Sequence, residues 1–100
     1  MTAAHCILTG DFNFEPSGDE YTLLQSKRNG ASQWRDAWTT LNHNQPHPPT
    51  FRLHDRRYGP VPIACDFLFV SDTLTPHLKR IGVNLDTKVS DHQPVLLELA

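Results

Sequence analysis

A chain of 100 residues is one small domain with a modest core, and 38 % hydrophobic against 20 % charged residues suits a folded chain rather than a disordered one. A formal charge of −2 gives no global attraction to nucleic acid, so binding there needs a local basic patch. No apolar run approaches the ~20 residues of a membrane helix, and the N-terminus shows neither the basic start nor the apolar core of a signal peptide. A cytoplasmic protein without a membrane span is the expectation.

Residues 5–9 read as a short buried strand that ends at Gly10, where the backbone turns closely. Cys6 in this run and Cys65 further on are too few and too far apart for a disulfide framework or a zinc motif, and read as buried free thiols. Phe14-Glu15-Pro16 is a loop, because Pro16 biases Glu15 away from helix. Ser17 with Glu20 three residues on makes a capping box, which predicts a helix over 17–28. Tyr21, Leu24 and Gln25 share one of its faces, and Asn29-Gly30 is a natural stop. Trp34, Ala37, Trp38 and Leu41 fall at i, i+3, i+4 and i+7, predicting a second short helix over 36–41 whose tryptophans pack in the core.

Pro46, Pro48 and Pro49 forbid regular structure across 42–50, and the histidines there lack a Cys or carboxylate at zinc-ligand spacing, so a solvated loop is expected. Residues 50–53 form a candidate short strand, followed by a polar, basic loop over 54–62 that carries Arg56, Arg57 and Tyr58. The clearest buried strand is 63–71, broken only by Asp66. Residues 78–85 read as an edge strand, and 94–99 as a final strand with Val95, Leu97 and Leu99 on one face and Leu96 on the other. Strands outnumber helices and are joined by loops or hairpins, which points to an α+β arrangement.

Polar groups stand at the edges of three of these runs: Gly10-Asp11-Phe12-Asn13, Cys65-Asp66-Phe67 and Ser90-Asp91-His92-Gln93-Pro94. An Asp at such an edge is costly unless it is paired or bound to a cation. Their convergence on one polar site is the economical reading, and acids, an amide and a histidine together suit hydrolysis assisted by a divalent metal. Asp11, held at a strand end, is the candidate general base. Asn13, two residues on along an extended backbone, points the same way and can donate to a phosphate oxygen. The competing reading of this tripeptide is a plain turn. His92 as imidazolium suits a phosphate, given a carboxylate on its far nitrogen to raise its pKa. Its competing reading is a surface loop residue, with Asp66 capping a strand. Arg52, Arg56 and Arg57 are either phosphate contacts or a solvated face.

In order and wording these segments resemble the endonuclease/exonuclease/phosphatase family, which includes deoxyribonuclease I-like nucleases, abasic-site endonucleases and lipid or inositol phosphate phosphatases. Its GDFN, (I/C)D(Y/F) and SDH signatures are matched at residues 10–13, 65–67 and 90–92. The resemblance spans nearly the whole chain but only the C-terminal half of the family's domain. It implies half of a four-layer α/β/β/α sandwich, mainly one mixed or antiparallel β-sheet with flanking helices. Strands 5–10, 63–71 and 94–99 would then share one sheet, with Asp11, Asn13, Asp66, Asp91 and His92 at one end.

The resemblance further implies metal-dependent hydrolysis of a phosphate ester by a nuclease or phosphatase, the choice left open, with nucleic acid one candidate substrate. Asp11 is then the base, Asp66 the partner of His92, and Asp91 a ligand for Mg2+ or Mn2+ with Asp11 nearby. Asn13 and His92 hold the phosphate, and Arg56 and Arg57 are the candidate substrate contacts on the loop. The family's first half supplies a metal-binding glutamate, an asparagine and a further histidine or tyrosine, none of which is matched ahead of His5. The expectation is therefore a part of a longer enzyme, weak in metal binding and inactive alone, whose partner is the N-terminal half. The alternative is a non-catalytic remnant acting as a binding or assembly module; a strand Asn and a strand Glu encoded upstream would decide between them.

Overall fold

The computed structural model describes residues 5–28, 31, 32, 34–55, 57, 59 and 61–100, and its architecture is arranged around one strand. That strand, β5 (Asp66–Val70), is the middle of a three-stranded antiparallel sheet, with β1 (Ile7–Asp11) and β4 (Arg35–Asp36) on its two sides. Successive side chains of a strand point to opposite faces, and here each face has its own core. Phe67 and Phe69 join Tyr21 and Ala64, with Leu8, Phe12, Phe14, Leu24 and Trp34 packed around them. Val70 joins Ala37, Leu74 and Leu78, with Leu41, Leu68, Ile81 and Leu97 against them. Burial on both faces is why β5 reads as an unbroken apolar run. Each phenylalanine so buried contributes about 2–3 kcal/mol.

The first core is covered by α1 (Asp19–Leu24), which turns Tyr21 and Leu24 inward as its periodicity predicts. This helix is shorter than 17–28. Its N-cap is Gly18 rather than Ser17 and no side chain caps it, so the capping box does not form. At its other end the chain leaves the helix and β2 (Lys27–Arg28) pairs with β3 (Ala31–Ser32). The Asn-Gly pair between them is also the favoured dipeptide of tight hairpins; residues 29 and 30, read as a helix stop, lie outside the described residues. The second helix, α2 (Ala37–Leu41), forms where expected. Trp38 is buried and Trp34 packs on the first core, so both tryptophans are core residues.

The second core is closed by a separate antiparallel pair, β6 (Leu78–Val83) with β7 (Val95–Leu99), which follows a 3-10 turn over Asp72–His77. Strand 94–99 therefore does not share the sheet of 5–10 and 63–71: it pairs with β6 and packs Leu97 on the second core. Leu96 on its other face is 61 % exposed, as the alternation predicts, while Leu99 at the strand end is exposed too. Residues 50–53 form no strand; Phe51 makes isolated bridges to Ile63 and to His92. Nor is the proline-rich stretch simply solvated, because the His47 ring lies 5.5 Å from Trp38 and 5.2 Å from Phe67. Cys65 is buried, whereas Cys6 is only partly so.

One buried carboxylate joins the helices to the sheet. Asp36 is fully buried; it accepts the Tyr21 hydroxyl and the Trp38 amide (3.0 Å), and its own N–H donates to Gln25 Oε1 (3.0 Å). Burial raises the Asp36 pKa, with the bonds from Tyr21 and Trp38 acting in the opposite direction. Asp36→Ala removes a helix cap worth ~1 kcal/mol and strands the Tyr21 hydroxyl at a cost of about 1–3 kcal/mol. Urea unfolding should show a loss of about 2–4 kcal/mol for Asp36→Ala and about 1 kcal/mol for Tyr21→Phe.

Candidate active site

Gly10 opens the site. Its φ of +147° is one that side chains rarely adopt, although no neighbouring atom lies within 4 Å of where a Cβ would be, so backbone conformation and not space demands glycine. One residue later Asp11 ends β1, directly opposite Asp66 at the start of β5. Like charges facing each other across a ladder repel. The group that answers both is His92, on the loop before β7. Its Nδ1 is 2.7 Å from Asp66 Oδ2, and its Nε2 is 3.6 Å from Asp11 Oδ2. The imidazole lies between two carboxylates.

Asp11 divides its oxygens. While Oδ2 faces His92, Oδ1 accepts the N–H of Asn13 at 3.0 Å. Asn13 has φ +57°, so it does not continue an extended backbone as the sequence suggested; the tripeptide is a turn that holds Asp11 toward His92. The Asn13 amide is exposed at this turn. Between them Phe12 packs on the first core, and its N–H donates to the Cys65 carbonyl at 2.9 Å.

Three residues assigned no role from their sequence positions hold these groups in place. The buried Thr50 hydroxyl accepts the N–H groups of both Cys65 and Asp66, each at 3.1 Å, and the Thr50 carbonyl accepts the Gln93 N–H at 2.7 Å. Phe51 stacks on the His92 ring with centroids 4.6 Å apart and an interplanar angle of 25°. Gln93 is buried, and its Nε2 donates to the carbonyls of Asn84 (2.8 Å) and Thr87 (2.9 Å), fastening the loop. The available signal was a β-branched hydroxyl and an amide placed beside apolar runs, where each needs a partner.

Burial favours a neutral His92 ring. The hydrogen bond and charge of Asp66, followed by the charges of Asp11 and Asp91, outweigh that and raise its pKa above the ordinary value. The side chain remains 30 % exposed, enough for a ligand to reach it. A histidine with a raised folded pKa contributes stability fully below its unfolded value of ~6.5 and loses it as pH rises through the folded value.

Asp91 is exposed; with His54, Asp55, Arg57 and Lys88 it lines a hollow of about 430 Å³, while its charge still acts on His92. Asp11 and Asp66 line a smaller one of about 190 Å³ with Thr9 and Gly10, and Gln93 borders both. Arg57 pairs with Asp55 at 2.6 Å on the rim, and the Arg52 guanidinium lies over the Phe51 ring. Arg56 lies outside the described residues. Among the described residues the one group of three metal-ligating side chains is Cys65, Asp66 and His92. No group of three carboxylates occurs among the described residues, so Asp11 and Asp91 by themselves do not fit a hard cation that takes six oxygens.

The family model described as endonuclease/exonuclease/phosphatase matches residues 2–92. Its members are generally enzymes that hydrolyse phosphoesters, typically with divalent metals. No curated protein and no solved structure matches the chain. Among the described residues no helix is long and apolar enough to cross a membrane.

If Asp66 charges the imidazole, Asp66→Asn lowers the His92 pKa; an NMR titration of the ring whose midpoint does not move removes that role. Thr50→Val leaves two amides without their acceptor and should cost about 1–3 kcal/mol in urea unfolding, with Thr50→Ser restoring most of it.

Proposed function

Because the chain belongs to the endonuclease/exonuclease/phosphatase family, we propose that it is the C-terminal half of a metal-dependent phosphoester hydrolase. The observation that carries this reading is the His92 ring held by Asp66 on one nitrogen with Asp11 near the other. Asp66 keeps a proton on Nδ1 and stabilises the imidazolium. The 3.6 Å gap on the far side is too long for a direct hydrogen bond, so the Nε2–H is available to a phosphoryl oxygen. One well-placed donor of this kind is worth roughly 3 kcal/mol to a transition state.

Asp11 Oδ2 accepts the proton of a water attacking phosphorus in line, while the Asn13 N–H fixes the other oxygen and hence the direction of the carboxylate. The Asn13 amide donates to the phosphoryl group from the same turn. Arg57, with Arg56 beside it in sequence, contacts the substrate from the rim of the larger hollow. Asp91, with Asp11, is this chain's share of the ligands for Mg2+ or Mn2+, an ion that neutralises charge on the phosphate and leaving oxygen. The remaining oxygens come from the N-terminal half. Exposed apolar side chains on β1 and β7, Ile7 at 48 % and Leu96 at 61 %, suit a surface that this half covers. The net charge of −2 favours a small phosphodiester or phosphomonoester over long nucleic acid.

Two outcomes follow. The isolated chain should show no more than trace hydrolysis of a phosphodiester with magnesium, far below the ~1–10³ per second of ordinary enzymes. In a protein that includes the other half, Asp11→Asn and His92→Ala should each lower kcat by about 100-fold or more with little change in Tm. Unchanged turnover in both variants would return the chain to a binding or assembly module.

A further inference from the structure

We propose that Cys65, Asp66 and His92 form a binding site for zinc, and that zinc held there switches the hydrolytic site off. The three donors are a thiol, a carboxylate and an imidazole, and one ligating atom of each lies within 4.8 Å of the others. Cys65 Sγ is 3.6 Å from Asp66 Oδ2, and His92 Nδ1 is 2.7 Å from the same oxygen. Zinc bonds of about 2.3 Å to sulfur and about 2.0–2.2 Å to nitrogen or oxygen hold neighbouring donors roughly 3.3–3.7 Å apart in a tetrahedron. The sulfur and the carboxylate already have that spacing. The imidazole needs to draw back from the carboxylate by about 1 Å or less and to bring Nδ1, within 4.8 Å of the sulfur, to the same spacing from it; it belongs to a partly exposed loop residue.

The donor set selects its metal. Thiolate with imidazole suits a borderline-soft ion such as zinc and gives magnesium nothing, whereas the exposed carboxylate of Asp91 belongs to hard-ion chemistry. A thiolate and a carboxylate together cancel the charge of a dication. Zinc takes sulfur as thiolate and imidazole as the free base, so each donor gives up its proton when the ion binds. Binding therefore releases the Cys65 proton and the His92 Nδ1 proton to solvent, with no change of oxidation state. Entry is past Asp66 and His92, since Asp66 borders the small hollow while Cys65 is only 3 % exposed. Three protein ligands leave the fourth position to water.

The switch rests on the hydrolase reading; the site does not. With zinc on Nδ1 the ring has neither its bond to Asp66 nor the proton that makes it an imidazolium. The direct test is titration of the full chain with Co2+ as a spectroscopic substitute for zinc. A thiolate-to-cobalt charge-transfer band is expected, lost in Cys65→Ala and Cys65→Ser, kept in Cys6→Ala and displaced by Zn2+. Absence of the band in the folded wild-type chain, or its loss in Cys6→Ala alone, overturns the site. Should the Cys65 variants fail to fold, imidazole NMR of the wild-type chain replaces them: His92 ring nitrogens that do not respond to Zn2+ overturn it equally. In a protein that includes the other half, Cys65→Ser should raise the zinc needed for half-inhibition by about 10-fold or more. Hydrolysis indifferent to zinc, with the cobalt band present, overturns the switch. A cobalt band in a protein that hydrolyses nothing overturns the hydrolase reading and leaves the site standing.

Discussion

The antiparallel register that sets Asp11 of β1 against Asp66 of β5 is the constraint on which the site depends. A strand has a side-chain period of two, so a slip of one residue would carry Asp11 to the opposite face, into the phenylalanine core. Apolar burial on both faces prevents the slip: Leu8 opposite Phe69 lies in the first core, and Val70, the partner of the exposed Ile7, lies in the second. The same pairs that bury the sheet thus force two carboxylates together at its end. Their repulsion is then available to stabilise a cation, and His92 is placed to be that cation.

A loop residue can serve such a site only if its backbone is held as firmly as a strand. Here Thr50, Phe51 and Gln93 provide that, through amide and carbonyl bonds that reach from the start of β5 to the loop before β7. Asp36 performs a comparable task on the far side of the molecule, joining α1, β4 and α2 through one carboxyl group. Thr50, Gln93 and Asp36 are buried polar groups with partners, which rigidify, rather than buried polar groups without them, which cost stability. The difference between them is solvent. Asp36 is sealed, while His92 and Asp11 keep an exposed side, and only the second arrangement can meet a substrate.

What the sequence made legible follows from periodicity and from the cost of burying charge. The Phe67–Phe69 run declared β5 because both faces are covered, and the spacing of Trp34, Ala37, Trp38 and Leu41 declared α2. Asp66 inside an apolar strand demanded a partner, and the SDH segment supplied it. Strands β2, β3 and β4 are two residues each, too short to carry a period. Alternation in 94–99 told which side chains share a face but not which strand they pair with, so β7 was assigned to the wrong sheet. Ser17 and Glu20 had the spacing of a capping box, yet the helix starts one residue later, at a point set by where Tyr21 must reach Phe67 and Asp36. Asn13 looked like a strand residue because nothing in its identity excludes φ > 0, which asparagine tolerates better than most.

The short bond between His92 and Asp66 has two consequences that compete. A carboxylate oxygen 2.7 Å from a ring nitrogen strongly favours a proton between them, and that proton is what charges the ring. The same oxygen, with the Cys65 sulfur behind it, also attracts a metal ion, but an ion is too large for a gap of that length unless the ring withdraws. Phe51 stacks on that ring and bridges to the His92 backbone, so withdrawal means sliding one aromatic face across another and straining a backbone pair. The balance between proton and metal at Nδ1 therefore depends on how readily the ring moves against Phe51. A looser neighbour at position 51 would ease the ring's withdrawal; the stacked phenylalanine holds the charged imidazole in place until zinc displaces its proton.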